Sequence, residues 1–105
     1  MDYASPEDEA MDLIEEYKDW KSAIEMGRVS AEKWNWKLEQ TKKRLKELRD
    51  GIAKKIHDLE NEKRAIMEAR VNGLISEDET LTRTNRIDAE LNRLKKVLML
   101  IINLR

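Results

Sequence analysis

Gly27-Arg28-Val29-Ser30 and Gly73-Leu74-Ile75-Ser76 share one spelling: a glycine, a spacer, a β-branched residue and a serine, each between long helical patterns. Glycine adopts the left-handed conformation that ends a helix, and a serine side chain accepts from the orphan N–H groups that begin the next. The two turns therefore cut the chain into three helices, near residues 6–26, 31–71 and 77–104. The expected fold is all-α: an elongated antiparallel three-helix coiled coil within a single helical domain.

Working outward, each segment carries its own start signal and apolar seam. Ser5-Pro6-Glu7-Asp8 opens the first with a cap, a proline at the first helical position and carboxylates at the positive end of the dipole. Ala10, Leu13, Tyr17, Trp20 and Ile24 then step by three and four, the spacing that keeps one seam facing a partner. The second segment repeats that spacing from Trp34 through Leu38, Thr41, Leu45 and Leu48, then takes two successive steps of four to Ile52 and Ile56. This stutter falls at Gly51 and predicts a bend or a change of partner there. Ser76-Glu77-Asp78-Glu79 reads as a capping box, followed by the seam Thr84, Ile87, Leu91, Leu94, Leu98 and Ile101. At ~1.5 Å per residue the central helix spans about 60 Å and its neighbours about 30 and 42 Å. Short turns make neighbours antiparallel, so the outer helices are expected to bring their free ends together near Gly51.

Composition limits what such a bundle can do. Of 105 residues, 41% are charged, none is Phe or Cys, and the formal net charge is −1. That excludes a disulfide framework and thiolate metal sites, and gives no whole-chain attraction to nucleic acid. The N-terminus has acidic residues where a signal peptide has basic and apolar ones, and Val97–Ile102 is far short of the ~20 residues of a membrane span. A cytoplasmic protein with no membrane partner is expected. His57 is the only histidine and stands on a polar face, so no catalytic residue, metal ligand or cofactor is assigned.

Three features remain as candidate sites. Residues 1–26 carry nine acidic and two basic side chains, whereas residues 31–55 carry four and nine. Lys42, Lys43, Lys46, Arg49 and Lys54 form a candidate nucleic-acid face. An acidic helix folded along that stretch is the plainer account of its charge. Trp20 and Trp34 fall on facing seams, but Trp36 is two residues on, about 200° around the helix, and becomes a candidate interface anchor. The C-terminal run, with Val97, Leu100, Ile101, Ile102 and Leu104, is apolar all round. Such a helix needs cover on more than one side, which a second subunit would supply.

Residues 66–87 resemble the turn in short bacterial oligomerisation domains and in the helical-hairpin arms of large serine recombinases. The matching residues are Ile66, Ala69, Gly73, Ile75, Ser76, Asp78 and Glu79, with Thr80 where those families carry an aromatic. The resemblance implies helix-mediated association. Together these observations predict a non-enzymatic protein–protein interaction module: a homo-oligomer, most simply a dimer, that docks a protein partner as adaptor or inhibitor. Small chains of this kind from viruses and mobile elements offer the analogy. The alternative is a nucleic-acid-binding accessory protein using the basic face.

Overall fold

The computed structural model describes residues 5–104. Those residues form three helices, α1 (Pro6–Glu25), α2 (Ala31–Val71) and α3 (Glu77–Ile102), and contain no strand. The molecule is a rod of 64 × 25 × 17 Å. α1 stops one residue before its expected end and α3 two residues before its own.

Both turns are built as their spelling requires. Gly27 and Gly73 have φ of 72° and 73°. The Arg28 N–H donates to the Ala23 carbonyl at 2.9 Å and the Gly27 N–H to Ile24 at 3.0 Å; Leu74 to Ala69 and Gly73 to Arg70 repeat the pattern at 2.8 and 3.0 Å. This is the Schellman closure, which satisfies the carbonyls orphaned at a helix end. The serines differ. Ser76 Oγ accepts from the Glu79 N–H at 3.1 Å, but Ser30 makes no side-chain cap. Glu79 does not complete the box either, because its carboxylate is held by Arg83, one turn on, at 2.7 Å.

The outer helices do not meet end to end. α1 and α3 hold 20 and 26 residues against 41 in α2, an excess of about 8 Å of helix, so their ends run side by side. Lys55 of α2 marks the overlap, reaching Glu7 at 3.1 Å and Glu90 at 3.6 Å. Only there is the rod three helices thick, and there its best-buried apolar residues lie: Ala10 and Leu94 at 0% exposure and Ile52 at 1%. Toward Trp34 the rod is a two-helix hairpin of α1 and α2. Toward the second turn it is a hairpin of α2 and α3. The stutter at Leu48, Ile52 and Ile56 thus supplies the layer where α2 faces both partners. α2 stays helical through Gly51, where an added Cβ would meet open space.

Ion pairs fix the registers. Glu9 accepts from Arg44 Nε at 3.0 Å and Glu16 pairs with Lys37 at 3.6 Å, so α1 runs antiparallel to α2. Lys63–Asp88 at 2.7 Å and Arg70–Glu77 at 3.3 Å do the same for α3. The acids of α1 do not keep it from covering the C-terminal helix. Glu7 and Glu9 turn to α2 bases, which frees Ala10, Ile14 and Tyr17 to pack in one cluster with Leu94, Val97 and Ile101.

Candidate functional site

α3 ends level with Leu45, and what surrounds its last turn is the most site-like part of the molecule. A crevice of about 560 Å³ opens there. Its floor is Tyr17 and Leu45, its end wall is Ile101, Ile102 and Leu104, and its long wall is the Lys42, Lys43, Lys46 and Arg49 face of α2 with Glu39 and Gln40. An adjoining hollow of about 380 Å³ shares Tyr17 and Leu104 and adds Lys18, Lys21, Ser22 and Glu25 of α1. Helix geometry puts these residues here. Tyr17, Lys18 and Lys21 lie on the α1 face turned to α3, while Lys42, Lys46 and Arg49 share one flank of α2.

The apolar C-terminal candidates and the basic candidates, separate in sequence, are therefore neighbours in space. They divide as follows. Val97 and Ile101 are both 7% exposed and belong to the intramolecular core, which corrects their expected place at a subunit contact: one stripe of the apolar run must face α1 and α2. Ile102 is exposed and Leu104 half-buried at the crevice mouth; Leu100 is 39% exposed but does not line it. Lys54 stands exposed on the back of α2, away from the crevice.

The charge of the basic stretch is only partly explained by α1. Lys37, Arg44 and Lys55 pair with Glu16, Glu9 and Glu7, and Arg49 with its neighbour Asp50. Among the described residues, Lys18, Lys42, Lys43 and Lys46 have no carboxylate partner. No basic residue stands in the last turn of α3, so these lysines also face the negative end of its dipole.

The tryptophans border this region. Trp20 and Trp34 stack across the hairpin with ring centroids 4.5 Å apart and planes 22° apart. Lys37 lies over Trp20 and Lys33 over Trp34, each at 5.8 Å. Both rings are only half-buried. Trp36, at 59% exposure, is on the far side of α2, one turn before Gln40 and two before Lys43. Lys33 covers Trp34 and not Trp36.

Sequence reasoning missed Tyr17, Lys18 and Lys21 as parts of one site. The signal available was that the two basic residues of the acidic segment lie three apart, on the face of its seam. It also missed an exposed apolar tip at the second turn, where Val71 and Leu74 are 83% and 76% exposed beside Met67 and Leu81. His57 is exposed, and among the described residues no group of three or more His, Cys, Asp or Glu side chains could hold a metal ion. No helix among them is long and apolar enough to cross a membrane. What the crevice offers chemically is apolar contact and positive charge. Comparison with family models, curated proteins and solved structures finds no match to this chain.

Proposed function

We propose that this chain is a non-enzymatic protein-interaction module of the cytoplasm, one that self-associates and docks a partner protein as an adaptor or inhibitor. The observation that carries the reading is the crevice at the end of α3, where an apolar floor is walled by Lys42, Lys43 and Lys46, which have no carboxylate partner among the described residues. An apolar centre with a charged rim is the anatomy of a protein interface. Self-association draws on the exposed Met99, Leu100 and Ile102 of the same helix.

Two measurements test this. Sedimentation at micromolar concentration should give a dimer or larger species for the wild type and a monomer for Leu100→Asp with Ile102→Asp. Affinity capture from the native host should retain a protein on the wild type and lose it on Lys42→Glu with Lys46→Glu. A wild type that is monomeric and captures nothing dependent on the crevice removes the reading. The unpaired lysines also support the nucleic-acid alternative. Binding to nonspecific duplex with a steep salt slope favours that alternative.

A further inference from the structure

The two turns share a spelling but differ in the residue before the glycine, which is Met26 in the first and Asn72 in the second. Asn72 caps α2 with φ −82° and ψ 3°, and Gly73 follows in the left-handed region at φ 73°. Both backbone N–H groups are engaged. That of Asn72 donates to the Glu68 carbonyl and that of Gly73 to the Arg70 carbonyl, each at 3.0 Å. Asn72 itself is exposed and borders an open hollow with Glu68 and Val71, so water reaches its side chain.

We propose that Asn72 is a self-modifying site: its side-chain amide is lost to attack by the Gly73 nitrogen, at a rate set by how often the second turn opens. The chemistry needs only water. The Gly73 nitrogen gives its proton to solvent and attacks Cγ of Asn72; the N–Cγ bond forms, the Cγ–Nδ2 bond breaks, and the amide nitrogen leaves as ammonia. Water then opens the five-membered imide. Breaking N–Cγ gives aspartate, and breaking the bond from that nitrogen to the Asn72 main-chain carbonyl carbon gives isoaspartate. Nothing is oxidised or reduced. Glycine favours the attack because no Cβ shields its nitrogen. Asn103 is the contrast within the chain. It caps α3 with nearly the same backbone, φ −82° and ψ −3°, but Leu104 follows it. Asn35, Asn61, Asn85 and Asn92 lie inside helices.

Closure of the turn is the gate. Ring formation requires the Gly73 nitrogen to eclipse Cβ of Asn72, away from the ψ of 3°, and its N–H to leave the Arg70 carbonyl. Both happen only when the Schellman closure opens, and local opening at a helix end costs less than global unfolding. The products then act on the gate. Isoaspartate inserts an extra backbone carbon, which takes the N–H groups of Gly73 and Leu74 out of register with the Arg70 and Ala69 carbonyls. Aspartate keeps the register but sets a carboxylate at the negative end of the α2 dipole, one turn after Glu68. Either product loosens the turn that held the site closed.

The test uses the full chain, held at neutral pH and physiological temperature, either folded or in guanidinium chloride, with peptide mass spectrometry locating the products. Position 72 should convert in both conditions, at least about tenfold more slowly in the folded chain, while position 103 lags far behind in the denaturant. Ile75→Ala removes apolar contact beside the turn and leaves Asn72 and Gly73 untouched. It should speed conversion in the folded chain but not in the denaturant, and unchanged helix content by circular dichroism shows that the variant folds. Trp34→Leu, at the other turn, should change neither rate. Equal rates in the folded and denatured chain, no conversion at position 72 in the denaturant, or a folded-state rate that Ile75→Ala does not raise or that Trp34→Leu raises as much overturns the proposal. The site needs no partner protein, so these outcomes are independent of the capture and sedimentation tests above.

Discussion

At Glu7, burial and charge pull in opposite directions. The residue is 3% exposed, accepts from Lys55 at 3.1 Å, and leaves its second oxygen buried without a hydrogen bond. Burial pushes its pKa up, but the Ser5 hydroxyl, its own backbone N–H at the start of α1, and the Lys55 ammonium outweigh that and hold it below the ordinary 4.5. A carboxylate whose folded pKa is depressed contributes stability above its unfolded value and loses it as pH falls through the folded one. The stability gap between wild type and Glu7→Gln, measured by urea unfolding, should therefore be present at pH 7 and close below pH ~4.5. Lys55→Met leaves the buried carboxylate without its cation and should cost about 1–3 kcal/mol at neutral pH. Glycine gives a second contrast. Gly51→Ala, with helical backbone and free space for the methyl, should stabilise by about 0.5–1 kcal/mol. Ala at Gly27 or Gly73, where φ is positive, should destabilise instead. Thermal melts of the three variants check both signs.

Within α3 the same kind of substitution divides by position. Ile101→Asp places a charge in the core and should unfold the chain or cost several kcal/mol, whereas Ile102→Asp, at a 53% exposed site, should keep its helix content by circular dichroism. In the hairpin of α1 and α2, a double-mutant cycle on Trp20→Leu and Trp34→Leu should return a coupling of about 0.5–1.5 kcal/mol, the usual range for stacked rings. These elements were largely legible in the sequence. Ser5-Pro6 and the two glycine turns set the helix bounds, because capping is local chemistry that spacing alone reveals. The pairing of Trp20 with Trp34 and the outward place of Trp36 followed from seam phase. The half-burial of the Trp pair did not, since seam phase places a ring on a face without saying how much of it the neighbours cover. Val97 and Ile101 were misplaced for a related reason: an all-apolar run does not say which stripe faces inward. Glu79 was misread because Arg83 holds its carboxylate, and Ser30 makes no side-chain cap.

Across the whole molecule, the overlap of α1 and α3 was already implied by lengths that together exceed α2, yet the crevice was not. Lys18 and Lys46 are far apart in sequence and line two adjoining hollows, which share Tyr17 and Leu104 at the end of α3. Self-association is open to direct test, and Leu100→Asp with Ile102→Asp should shift sedimentation to the monomer. The three-helix layer also has a kinetic consequence. Amide exchange reports local opening, and opening is hardest where most apolar surface must be exposed at once. Backbone amides around Leu48 and Ile52 should exchange slowest in α2, with protection falling off in both directions along its length. The two ends then open as separate units on either side of one slow-exchanging block.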